Sequence, residues 1–385
     1  MQEDIRGQVA AGSTFGLTDA VEKHAREQNF TYVGDLGDAL MERRAEALAT
    51  LDELQRHLQH LVRVLALTPG RESVAELLRL TDADRTSQGG PRSQLPFLAS
   101  LLAEAQRPAD LAFAFTGDTS SLFSPLRSLL PCLAQELVLR GTDVMALPEI
   151  AGWAGHWDRD QAYNPHPLAW LPLRRTGLER DLRFPSRGYR TGAYDGMPQL
   201  PADGRRTIGP AAWTGTPVAS LREVSTPDLH ERMAAAPTAG GWGGFEVKVY
   251  EATAPIEPHD LPTVLAGLPA ECLEGLEDTS RFEVAPCSAA DVWGALFLLA
   301  SLGAGFGTGV YGAYGRLRAW QSLGGLSGAP AGASWAEVQR RAMSCTWFRF
   351  EAESEWFYNE YSDLGIAALA PDGRRIAVLA ATTTD

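Results

Sequence analysis

The chain has 385 residues, 45% of them apolar and 21% charged, with a formal net charge of −14. That length and composition supply apolar surface for one large core or two to three domains and argue against a disordered chain. The acidic balance repels phosphate backbones and anionic bilayers, so neither nucleic acid nor a membrane is expected as a partner.

Lys23 and Lys248 are the only lysines among 34 basic residues, which fits high-GC coding and favours planar guanidinium contacts where a carboxylate or phosphate must be held. Cys132, Cys272, Cys287 and Cys345 are widely spaced with no C-x-x-C, the pattern of reduced thiols rather than of a disulfide framework or zinc site. The start MQEDIRGQVAAG carries no basic region followed by an apolar core, so a cytoplasmic protein is expected. No cofactor is expected.

From about 17 to 150 the chain reads as helical. Residues 38–67 keep Leu and Ala at three- and four-residue spacing, 95–106 and 120–141 repeat the pattern, and the last run ends on Gly141 where a C-cap belongs. No fixed repeat period is present, so a regular solenoid is not favoured. From about 150 to 240 the chain is rich in Trp, Pro, Gly and Arg without sustained periodicity, and its aromatic content predicts an ordered but irregular segment.

The last third alternates strands and helices. Residues 243–253, the TSRFEVAP stretch and 345–353 predict strands, and 364–382 predicts a hairpin turning on Pro371-Asp372-Gly373. Helices are expected at 289–302, about 310–323 and 334–343. The predicted class is α+β: an N-terminal helical domain (1–150), an irregular Trp/Arg/Pro-rich connecting segment (151–240), and a C-terminal domain (241–385) with a mainly antiparallel sheet and packed helices.

Four constellations carry the functional question. LGAGFGTGVYGAYG (302–315) contains G-x-G-x-x-G, but Ser288 and Asp291 form a capping box before an Ala/Leu-rich run, so the glycines follow a helix and not the strand that a dinucleotide loop requires. The same region has 24 uncharged residues, Val292 to Gly315, with G-x-x-x-G pairs, yet its glycine content disfavours a membrane helix. The expected reading is a close-packed helix pair, with Thr308 capping the second helix and offering an anion-binding start.

His156, Asp158 and Asp160, with His166 downstream, are weak metal candidates if they share one loop, although no known spacing matches and no metal is expected. Glu53, His57 and His60 share one helix face, expected to be solvated. Between Leu168 and Arg206 eight arginines face four acidic residues. Of these Arg174, Arg175, Arg187 and Arg190 are the candidate ligand-binding residues, and pairing of the segment with the acidic stretch Glu351 to Asp363 is the favoured alternative. No G-x-S-x-G, H-E-x-x-H or Walker A pattern is present, so an enzymatic role is left undecided.

The ending WFYNEYSDLGIAALAPDGRRIAVLAATTTD, with DLAFAFTGD at 110–118, resembles an uncharacterised family of actinobacterial, mainly Streptomyces-type, proteins of unknown function. The resemblance implies a source but no activity or site residue. The leading expectation is a non-enzymatic binding or regulatory protein contacting a small anionic ligand or protein partner between its two domains. An enzyme of secondary metabolism acting on an anionic small molecule, and an interaction or immunity-type protein, remain open.

Overall fold

The structure is a computed structural model that describes residues 5, 14–46, 51–84, 94–117, 124–160, 165–182, 200–209, 220–274, 276, 281–303, 309–357 and 363–383. The chain divides into two compact units, Met1–Ala169 and Trp170–Asp385.

The first unit is helical. Its longer helices are α1 (Thr14–Arg26), α2 (Phe30–Glu46), α3 (Leu51–Leu67), α4 (Arg71–Ala83), α5 (Leu95–Ala105), α6 (Leu126–Leu139) and α7 (Pro148–Asp160). The expected 38–67 run is thus carried by two helices, with residues 47–50 outside the described set. Helix α3 buries Leu54, Leu58, Leu61, Val62 and Leu65, a stripe at helical spacing. Each fully buried leucine contributes roughly 1.5–3 kcal/mol of transfer free energy.

Helix α6 ends as its sequence predicts. Gly141 has φ 84°, its N–H donates to Val138 O, and the Thr142 N–H donates to Leu137 O. This Schellman pair satisfies two terminal carbonyls, and a left-handed residue is what the turn requires. The 148–160 stretch, expected to be largely irregular, is helix α7, because tertiary packing of Ile150, Trp153 and Ala154 overrides its weak periodicity.

The second unit is built on one seven-stranded, wholly antiparallel sheet. Its strands are β1 (Arg206–Ile208), β2 (Leu221–Glu223), β3 (Gly244–Ala252), β4 (Phe282–Cys287), β5 (Thr346–Ala352), β6 (Leu364–Leu369) and β7 (Arg375–Thr382), in spatial order β1-β4-β5-β6-β7-β3-β2. Its helices are α8 (Pro227–Met233), α9 (Ala235–Gly240), α10 (Leu261–Ala266), α11 (Ala289–Leu302), α12 (Tyr311–Leu326) and α13 (Trp335–Ser344).

The central strands β6 and β7 read as near-continuous apolar runs because the sheet is covered on both faces. Tyr250, Phe282, Phe350, Ile376 and Val378 pack in one core with Leu261 and Leu265 of α10. The β6–β7 turn has Gly373 at φ 67°, and a Cβ there would meet Ile256 O at 2.7 Å. The fold is therefore α+β, with N-terminal helices followed by a C-terminal antiparallel sheet and packed helices. Both sheet edges, β1 and β2, come from the stretch expected to be irregular; three residues are too short to display a period.

The glycine-rich stretch does join two packed helices. Ser288 Oγ accepts from the Asp291 N–H and the Asp291 carboxylate accepts from the Ser288 N–H, closing the predicted capping box of α11. Residues 304–308 lie outside the described set, Thr308 among them, and the N-cap position of α12 is held by Val310 instead. The Val310 N–H donates to Ala300 O and the Gly309 N–H to Leu302 O, satisfying carbonyls at the end of α11. A Cβ on Gly309 would meet the Ala300 and Ser301 carbonyl oxygens at 2.5 Å, and one on Gly315 would meet Ser301 Cβ at 2.6 Å. These are close-approach glycines. No helix among the described residues is long and apolar enough to cross a membrane.

Candidate functional site

The first unit carries an open groove of about 580 Å³ between α1 and α3. Helix α1 supplies Glu22, Ala25 and Arg26, at i, i+3 and i+4; helix α3 supplies His60, Arg63, Val64 and Leu67, at i, i+3, i+4 and i+7, followed by Thr68. Both sets are single helix faces, so the groove is a direct product of 3.6-residue periodicity on two neighbours.

Its floor is apolar, from Ala25, Val64 and Leu67, and its rim carries two guanidiniums, one imidazole and one carboxylate. The rim is thus net positive in a chain of charge −14. Low-dielectric walls lined by one predominant sign focus the field and raise the local concentration of the opposite charge.

His60 Nε2 lies 3.8 Å from Glu22 Oε1, outside hydrogen-bond range, and the two side chains stay 32% and 50% exposed. Arg26 Nε donates to its own-helix carbonyl, Glu22 O, at 3.2 Å, and Thr68 Oγ1 donates to Val64 O at 2.7 Å. His57, one turn before His60, is 6% exposed. The expectation of a solvated face is therefore corrected for His57: its ring is packed inside, and burial depresses its pKa, partly opposed by Glu53. The spacing alone does not separate these two histidines, because a three-residue step crosses the boundary between the packed and open sides of α3.

The remaining candidates are dispersed. His156, Asp158 and Asp160 lie on helix α7 rather than on a loop, and the His156 Nδ1–H donates to Gly152 O at 2.8 Å within that helix. His166 packs edge-on against Trp157, with centroids 6.0 Å apart, and burial followed by the Arg127 charge lowers its pKa. Among the described residues no group of three or more His, Cys, Asp or Glu side chains is placed to hold a metal ion.

Arg187 and Arg190 lie outside the described residues. Arg174 sits over the Trp335 ring at 5.8 Å, and Arg175 Nη1 reaches Arg180 O at 3.4 Å. Of the segment's other arginines, Arg205 lies 3.5 Å from Glu283 and Arg206 donates to His259 O, while Glu353 of the acidic stretch accepts from the backbone N–H of Arg281, which lies outside the segment.

The segment's decisive charge is an acid. Glu179 is fully buried and receives Arg316 bidentately: Nε to Oε1 and Nη2 to Oε2, both at 2.7 Å. Trp320 Nε1–H donates to Oε1 at 2.8 Å and the Thr176 N–H to Oε2 at 2.7 Å. Arg316 also donates to Pro172 O and Arg174 O. Burial pushes the Glu179 carboxyl up, but Arg316, Trp320 and the Thr176 N–H outweigh it and hold the pKa below the usual carboxylate range. This pair ties residues 172–179 to α12. Its saturated bonding identifies it as architecture rather than as a reactive site.

All four cysteines are free thiols. Burial raises each pKa, to about 11 for Cys345 and about 12 for Cys287, so none is an activated thiolate at neutral pH.

The chain belongs to a family of unknown function (DUF6183), which it matches over residues 15–385. No curated protein and no solved structure matches it.

Proposed function

We propose that this protein is a non-enzymatic binding protein that takes a small anionic ligand with an apolar body into the α1–α3 groove. The observation that carries the reading is the groove's composition: an apolar floor under a net-positive rim, on an acidic protein. Pockets of several hundred Å³ with a few convergent polar groups over apolar walls are the usual geometry of small-molecule sites. Arg26 and Arg63 would meet the ligand's anionic group, Val64, Leu67 and Ala25 its apolar body, and His60 with Glu22 a polar substituent. The expected placement of the ligand between the two domains gives way here to a site within the first unit. We place the protein in the cytoplasm, on its four free thiols, and in an actinobacterial source, on the resemblance carried by its C-terminal ending and residues 110–118.

The test is thermal unfolding of the full chain with octanoate, octanol and acetate as probes. Octanoate should raise Tm more than either, since it alone satisfies floor and rim; at one hundred times Kd a ligand stabilises by about 2.7 kcal/mol. Val64→Trp, which fills the groove, should abolish the shift. Equal shifts in wild type and Val64→Trp, or none with octanoate, would sink the reading.

A further inference from the structure

In the second unit, a cluster of arginines gathers at the end of helix α12. That helix closes with a Schellman turn: Gly328 has φ 70°, its N–H donates to Gly325 O, and the Ala329 N–H donates to Gly324 O. The backbone thus satisfies terminal carbonyls by itself. Three arginines from three different elements nevertheless converge on the same corner. Arg375 of β7 donates to Leu326 O at 2.7 Å and Gly325 O at 2.9 Å, Arg341 of α13 to Gly328 O at 3.2 Å, and Arg232 of α8 to Ala329 O at 2.7 Å. The negative end of a helix dipole amounts to about half a charge, enough to account for one cation and not for three.

The anions nearby do not balance them. Arg232 has Asp228 at 3.3 Å, a carboxylate 69% exposed. Arg341 has Glu337, which Arg340 also engages through two nitrogens. Arg375 is the telling member. Among the described residues it has no carboxylate within ion-pair distance; its hydrogen bonds go to the two carbonyls alone, and Asp372 acts on it only from farther away. Burial lowers its pKa, and the neighbouring Arg232 charge lowers it further against the opposing influence of Cys345. A partly buried cation beside a second cation, in a chain of charge −14, is an arrangement that a counter-anion relieves. Gly328 lets Arg375 lie close against the turn: a Cβ there would stand 3.3 Å from the Arg375 guanidinium carbon.

We propose that the corner formed by Arg232, Arg341 and Arg375 at the end of α12 is a binding site for an oxyanion, the phosphate or carboxylate group of a ligand. Planar guanidiniums from three elements meet at one corner, and the guanidinium fork is the donor geometry that favours such anions over chloride. The site is independent of the α1–α3 groove, and each reading can fail without the other.

The test uses the full chain labelled with nitrogen-15, following arginine Nε–H resonances while inorganic phosphate, acetate or chloride is added at constant ionic strength. Phosphate or acetate should move the Arg232, Arg341 and Arg375 signals saturably, and whichever binds tighter identifies the group as phosphate or carboxylate. Arg232→Gln and Arg341→Gln, both on partly exposed side chains, should each weaken binding at least tenfold. Val64→Trp in the groove should leave it unchanged. Arg375→Gln removes a helix-end contact, so the first two variants decide the matter if it fails to fold. Shifts no larger than those from chloride, or binding that survives both Arg232→Gln and Arg341→Gln, would overturn the assignment.

Discussion

Two carboxylates in this protein face nitrogen-bearing side chains and come to opposite ends. Glu179 is wholly enclosed, with Arg316, Trp320 and a backbone N–H filling both its oxygens. Glu22 stands half exposed in an open groove, 3.8 Å from an imidazole that it does not hydrogen-bond. A buried charge must be fully paired or it costs several kcal/mol, so the first arrangement is complete and fixes the backbone around it. An exposed rim charge costs little to leave unsatisfied, and it retains capacity for a ligand. The lesson is that enclosure demands full pairing at Glu179, whereas Glu22 remains open to solvent.

The sharpest way to break that contrast is to remove one partner of the buried pair. Arg316→Gln or Glu179→Gln should destabilise the chain by roughly 3–5 kcal/mol in urea unfolding, because the surviving group is left buried and unpaired. The same pair predicts a pH dependence. Glu179's pKa is depressed by folding, so its stabilisation is fully present above the unfolded value of 4.5 and is lost as pH falls through the lower folded value. Glu179→Gln should flatten the acid limb of the stability profile.

A second test compares glycines in the α11–α12 pair. Gly315→Ala and Gly309→Ala place a Cβ against Ser301 and the Ala300 carbonyl and should cost about 1–3 kcal/mol. Gly294→Ala, in the partner helix α11 and with nothing within 4 Å, should instead stabilise by roughly 0.5–1 kcal/mol. Equal effects at the three positions in chemical denaturation would refute the close-approach role.

His57 gives a smaller effect with a defined sign. Burial lowers its pKa, so the neutral ring stabilises the fold above the unfolded value of 6.5, and this contribution declines as pH falls below that value. His57→Gln should reduce the slope of stability against pH just below 6.5. The smallest expected stability change is at the groove: Arg26→Ala should stay within about 0.5 kcal/mol of wild type in urea, while weakening octanoate binding about tenfold.

The elements that a sequence can specify locally were legible. The α11 capping box, the Gly141 terminus, the Pro-Asp-Gly hairpin and the five longer strands each follow from a pattern within a few residues. Strands β1 and β2 were not, because three residues leave no period to read. The candidate site was legible only in part. The sequence places His60 one turn beyond His57 on a polar face, but it does not say that Glu22 on another helix stands opposite, nor that His57 turns inward.

Composition and periodicity by themselves determined that this is an acidic, arginine-rich α+β protein, whose helices and strands arise from short-range spacing of apolar residues. Tertiary structure alone decided which charges carry the architecture. In a segment where eight arginines drew attention, the anchoring residue is Glu179, paired with an arginine 137 residues away. Apolar periodicity is a local property that a short window records. Burial of a charge depends on what the rest of the chain brings to it.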